Sequence, residues 1–195
     1  WLKLKAQSPG GTGTGLPGGP MAMPLVRLLG KRLIPGAGRA AVPTTEALAG
    51  ASTVALYFSA SWCPPCKGFT PQLKEAYPGL VEKGMRTVLV SSCKDEAAFD
   101  AYYGEMPWLA LPYSERTRQM ALSAHFGVQS IPTLALVTIK GQLITDLARD
   151  WVVSDPKGSQ FPWEEPAVLD LAAGNPGRVN KAPCVVLLCE GAQAS

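Results

Sequence analysis

Two cysteines separated by two prolines, in Trp62-Cys63-Pro64-Pro65-Cys66, constrain this chain more than any other feature. An apolar, β-branched and aromatic run, Val54-Ala55-Leu56-Tyr57-Phe58, precedes them. Phe69, Leu73, Ala76-Tyr77 and Leu80-Val81 follow at helical spacing. The pattern predicts strand, turn, helix, with Cys63 at the cap and Cys66 in the first turn. A cysteine there meets unpaired backbone N–H groups and the positive end of the helix dipole, which favour its thiolate. A second cysteine one turn later can attack a mixed disulfide formed on the first. Pro64 and Pro65 carry no N–H, so the first donor left to the Cys63 sulfur is the Cys66 amide. Both prolines suit a first helical turn and stiffen it. The same pair could be half of a zinc site or an inert buried pair. Zinc usually needs a second pair of ligands, and the chain has one histidine and no second Cys-x-x-Cys.

At 195 residues and 47% apolar content, the chain can form one domain with extensions. A net charge of +3 is too mild to imply nucleic acid. No apolar run approaches the ~20 residues that span a membrane. Five cysteines, an odd number, do not resemble a secreted disulfide framework and point to a reducing compartment.

Residues 1–23 are expected to be a disordered or expression-derived leader, because Gly, Thr, Ser and Pro dominate Trp1 to Pro20. No acid precedes Glu46, which admits a transit-peptide reading and organelle targeting. Near-absence of serine favours instead a short strand, Leu25 to Leu29, and a second near Leu33-Ile34. Thr44 to Leu48 reads as a short capped helix. Pro71 should kink the helix after Cys66, and Pro78-Gly79 should kink or end it near Tyr77. Arg86 to Ser92 is a second buried strand, and Asp95 to Tyr103 a helix. Met106 to Tyr113 reads as irregular. Ser114 caps a helix to about Phe126, which Gly127 ends. Ile131-Pro132 opens a third main strand over 133–139, and Lys140-Gly141 turns into a fourth, Gln142 to about Thr145. The expected fold class is α/β, a central mixed sheet with helices on both faces.

These landmarks together resemble the nucleoredoxin and tryparedoxin branch of the thioredoxin superfamily. The resemblance rests on Tyr57 to Cys66, Phe69-Thr70-Pro71, Glu105 to Ala110, Phe126-Gly127-Val128 with Ile131-Pro132-Thr133-Leu134, and Asp155-Pro156 with Phe161-Pro162-Trp163. It implies a thioredoxin-like domain over 24–165. Residues 166–195 resemble the start of a further, truncated domain of that kind through Lys181-Ala182-Pro183-Cys184-Val185-Val186-Leu187-Leu188. The chain would then be a fragment, a splice form or a one-domain relative.

The resemblance further implies roles. Cys63 would attack and Cys66 resolve. Pro132 would be a cis-proline facing the dithiol, crowding out metal ligands and turning the Ile131 backbone toward an incoming peptide. Trp62, Pro64, Pro65, Trp108, Ile131 and Pro132 would form the substrate-binding rim, with core packing the other reading for the tryptophans. Thioredoxin proper carries a buried acid where this chain has Tyr57, and tyrosine, with a pKa of about 10, is a poor base for Cys66. Cys93 stands where the branch often has an acid. Cys93, Asp95 and Glu96 are therefore candidate proton-transfer groups or modulators, Cys93 also a bystander or a third redox thiol. Ala148 replaces a usual glycine.

His125, near a helix end, is expected to be an exposed dipole partner rather than a ligand. Cys184 and Cys189 fall on opposite faces of an extended strand and read as small buried hydrophobes. The implied function is a protein-disulfide reductase that binds no cofactor or metal and needs an external reductant. Its partners would be disulfide-containing proteins and that reductant, with neither nucleic acid nor membrane. It would work in the cytoplasm, with the nucleus as a second compartment. The alternative is a redox-gated binding module acting on a signalling partner.

Overall fold

A computed structural model describes residues 24–164; the leader and the tail from Glu165 onward, with Cys184 and Cys189, lie outside the described residues. The chain opens with helix α1 (Pro24–Leu29), the short strands β1 (Arg32–Leu33) and β2 (Val42–Pro43), and helix α2 (Thr44–Ala47). Strand β3 (Thr53–Ser59) leads into helix α3 (Pro64–Glu82), then β4 (Met85–Ser91) and α4 (Glu96–Tyr103). Strand β5 (Leu109–Ala110), helix α5 (Arg116–His125), the hairpin of β6 (Thr133–Thr138) and β7 (Leu143–Thr145), and helix α6 (Ala148–Ser154) complete it.

The main sheet has five strands in the order β5-β4-β3-β6-β7. β3 pairs parallel with β4 and antiparallel with β6, so the sheet is mixed, as expected. Every residue of β3 is buried, because it lies at the centre with both faces covered. Alternation along β3 sorts two cores. Ala55 and Tyr57 pack with Phe69, Leu73 and Leu80 of α3 and Val152 of α6. Val54, Leu56 and Phe58 pack with Leu25 and Leu29 of α1, Leu48, and Leu122 of α5.

Several local expectations are corrected. Residues 24–29 form a helix, not a strand. Leu25 and Leu29, four apart, are both buried, whereas a strand would turn Arg27 to the same face as these leucines. Arg118 of α5 secures the helix by donating to the carbonyls of Arg27 and Leu28. Gly30 follows at φ 83°, and a Cβ there would lie 2.7 Å from Arg118 Nε.

Helix α3 does not end at Tyr77 but runs to Glu82 through both interior prolines. Pro71 and Pro78 are exposed, as are Lys67 and Lys74 four residues before them. The carbonyls that lose a partner thus lie on the solvent side, while Leu73, Ala76 and Leu80 hold the opposite face in the core. The segment 106–113 is not wholly irregular, since Leu109–Ala110 adds an edge strand to β4. Ser114 does not cap α5, whose N-cap is Glu115 with no side-chain hydrogen bond. Gly127, at φ 60°, ends that helix. α6 begins directly at Ala148, which is fully buried. Among the described residues, no helix is long and apolar enough to cross a membrane.

Candidate active site

The site begins where β3 stops. Ser59 is the last strand residue, and a short turn carries the chain through Ser61 and Trp62 to Cys63. Cys63 is the N-cap of α3, with extended backbone (φ −96°, ψ 107°), and its sulfur accepts the Cys66 N–H at 3.3 Å. Pro64 and Pro65 occupy the first two helical positions, so this is the donor expected from the sequence. Cys63 and Cys66 form a disulfide with their Cα atoms 5.3 Å apart. Both are buried, Cys63 at 3% and Cys66 at 0% exposure.

Facing the pair is the loop before β6. The Ile131–Pro132 peptide bond is cis. The Ile131 carbonyl oxygen lies 3.5 Å from the Cys63 sulfur, and Pro132 is buried. Trp62, the residue before Cys63, is 51% exposed. Its Nε1–H donates to the Ser92 carbonyl at 2.9 Å, so the indole is anchored at one edge and open on its face. Trp62, Pro64 and Pro65 thus adjoin the two cysteines along the chain, and Ile131, with the cis bond to Pro132, meets the Cys63 sulfur from the loop before β6.

Trp108 does not join them. It is 1% exposed and packs edge-on against Tyr57 and Tyr77, with ring centroids 5.9 and 5.4 Å away. The β5 segment turns this large apolar ring into the core, so it cannot line a rim. Asp95 is likewise engaged elsewhere, since its carboxylate accepts the Ala98 N–H at 2.7 Å as the N-cap of α4. Glu96 opens the same helix and is exposed. His125 is exposed in the last turn of α5 and meets the Phe126 ring edge-on.

Cys93 is fully buried just beyond β4. The Ser61 N–H donates to its sulfur at 3.3 Å, and its thiol donates to Ser61 Oγ at 3.4 Å. The parallel pairing of β3 with β4 sets Ser59 opposite Ser91, which brings the two strand exits together. Cys93 thus holds the turn that carries Trp62 and Cys63.

Beneath Cys66 lies a buried hydroxyl network that the sequence reading missed. Thr70 donates to the Cys66 carbonyl at 2.8 Å, and its Oγ1 lies 2.9 Å from Tyr57 OH and 3.1 Å from Tyr102 OH. Ser59 Oγ is 2.7 Å from Tyr102 OH. Burial drives the Tyr57 pKa far above that of a free tyrosine, outweighing its hydroxyl partners, so it stays neutral. A signal existed for Tyr57, which stands where thioredoxin has its buried acid, and for Thr70, four residues after Cys66 and able to bond back to that carbonyl. Ser59 and Tyr102 come from other elements and carry no such spacing.

A dithiol/disulfide pair at a helix N-cap, with one backbone donor on the leading sulfur and a carbonyl edge opposite, can as a dithiol pass two electrons to another disulfide and as a disulfide accept two from another dithiol. The fold and this pair define a thioredoxin-type thiol–disulfide oxidoreductase domain.

Known proteins agree. Residues 50–143 match the family model described as Thioredoxin-like. The chain is 51% identical over 113 residues to tryparedoxin of Trypanosoma brucei brucei, covering 57% of this chain and 78% of that one. It is 41% identical over 141 residues to zebrafish (Danio rerio) nucleoredoxin, covering 71% of this chain and 34% of that one. Native tryparedoxin I from Crithidia fasciculata superposes with TM-score 0.67 and 42% identity over 73% of this chain and 99% of its own. A tryparedoxin II solved in complex with glutathionylspermidine aligns with TM-score 0.68, at the same identity and coverage. The chain belongs to the thioredoxin-like family, on the branch of the nucleoredoxins and tryparedoxins. It spans about a third of the length of the nucleoredoxins it matches.

Proposed function

We propose that the protein reduces disulfides of other proteins. The Cys63 thiolate attacks one sulfur of the substrate disulfide, and the other sulfur leaves as a thiolate that takes a proton. Cys66 loses its proton and attacks Cys63 in the mixed disulfide. The second substrate sulfur leaves as a thiol, and the Cys63–Cys66 disulfide closes. Two electrons from an external reductant then restore the dithiol.

The observation that carries this reading is the Cys66 N–H aimed at the Cys63 sulfur at 3.3 Å, at the head of a helix. It marks Cys63 as the thiol whose anion is held, and Cys66 as the one poised behind it. Trp62, Pro64 and Pro65, beside the cysteines, and Ile131 and Pro132, facing them, would receive the substrate chain, with the Ile131 backbone pairing to it. No acid is assigned to Cys66; water or the substrate's own leaving thiolate would take its proton. A low-molecular-weight thiol is the class of reductant supported by the tryparedoxin II complex with glutathionylspermidine. A cytoplasmic or nuclear setting is in keeping with the mild charge and the sparse, odd cysteine count.

The test is reduction of insulin with dithiothreitol as electron source. Turnover well above a Cys63→Ser control is expected. Equal rates would sink the reductase reading and leave the redox-gated binding module.

A further inference from the structure

A groove of about 590 Å³ lies between α3 and α4, with Ser61 of the dithiol turn in its lining. Nothing in the exchange chemistry uses it. Its size is that of a ligand cleft rather than of a contact for a lone ion. Lys67 and Lys74 stand on its α3 side. They are exposed, and among the described residues neither is in an ion pair, those pairs being Arg118–Glu115 and Arg149–Asp150. Seven residues apart on one helix, they share a face and lie about 10 Å apart along its axis. Between them the lining is Thr70 and Pro71, and across the groove the small side chains of Ala98 and Ala101 leave room for a backbone. Glu105 is the single carboxylate of the lining, so the groove is net positive, its cations on one wall.

We propose that this groove docks an acidic segment of the protein whose disulfide Cys63 attacks, a proposal that rests on the reductase reading. An extended segment in the polyproline II conformation places residues three apart on one side, about 9 Å from each other. Two acidic side chains so spaced match Lys67 and Lys74. Glu105 repels an acid on its own wall, which orients the segment with its acids toward α3. The groove adds affinity and choice of substrate, while the chemistry stays at the dithiol.

The test is fluorescence anisotropy with a labelled, cysteine-free peptide carrying two glutamates three residues apart. Its twin carries glutamines there. The full chain should bind the acidic peptide about fivefold to tenfold more tightly than the twin, an advantage that fades with added salt. Lys67→Gln/Lys74→Gln should erase the difference, and Ala101→Trp, which fills the groove from an exposed position, should weaken binding of the acidic peptide. Lys140→Gln, outside the groove, should change nothing. Equal binding of the two peptides to the unmodified chain, or an undiminished preference in the double variant, would overturn the proposal. The peptide has no thiol, so its binding does not depend on exchange. Turnover of the neutral 2,2′-dithiodipyridine by the unmodified chain tests the reductase reading separately.

Discussion

At the scale of single residues, the two thiols differ by their place in one helical turn. Cys63 receives a backbone N–H and Cys66 is sealed beneath it. Cys66→Ser should therefore accumulate a mixed disulfide on Cys63, because the attack proceeds and resolution cannot. Mass spectrometry of the trapped species checks this, and an intact fold that captures no substrate would count against the mechanism. Cys93 calls for a different expectation. Its sulfur is spent on Ser61 and fully buried, so Cys93→Ser, which keeps a donor and acceptor, should leave insulin reduction within about twofold. Cys93→Asp would set a carboxylate beside the turn that bears Cys63. A negative charge there disfavours the thiolate, so the Cys63 pKa should rise. Thiolate absorbance followed against pH measures it; an unmoved titration would mean that residue 93 does not feel the site.

At the scale of elements, α3 is the member on which the site depends. It survives two interior prolines because its apolar stripe, Phe69, Leu73, Ala76 and Leu80, is buried against the sheet. Propensity alone would break the helix, and packing overrides it. Pro78 is exposed, so Pro78→Ala restores an N–H to the ladder without touching the core. The variant should be more stable by about 1 kcal/mol, less than the full helix penalty of proline because proline also stiffens the unfolded chain. Urea unfolding reads this. A loss of stability would show that the proline fixes a bend the packing needs.

At the scale of the molecule, the segment after α6 returns to the domain by burying Trp163 in the core, and one carboxylate folds the segment so that it can. Asp155 accepts the Ser159 and Gln160 N–H groups, each at 2.8 Å, and Trp163 Nε1–H at 3.1 Å. Burial alone would push its pKa up, but these donors outweigh it and hold the pKa below the ordinary aspartate value. A depressed folded pKa stabilises the protein above the unfolded value of about 3.9, and that stabilisation is lost as pH falls through the folded pKa. Asp155→Asn should therefore be less stable at neutral pH, with a shallower loss of stability on acidification than the unmodified chain. Urea midpoints across that range decide it; parallel curves would show that Asp155 titrates alike folded and unfolded.

Neighbouring residues were enough wherever local chemistry decides the outcome. A β-branched run, two thiols with prolines between them and a helical stripe specify strand, cap and helix, since each follows from neighbours a few residues away. The Ile131-Pro132-Thr133 start of β6 and the Lys140-Gly141 turn to β7 were legible for the same reason. Tertiary structure decided everything that depends on a distant partner. Leu25 to Leu29 became a helix because two leucines had a core to enter and Arg118 of α5 covers its carbonyls. Trp108 went inward because Tyr57 and Tyr77 form its pocket. The hydroxyl network under Cys66 draws Ser59 from β3, Thr70 from α3 and Tyr102 from α4. No spacing along the chain announces it, because a buried polar group is settled only by which partners the packed fold brings within hydrogen-bonding reach.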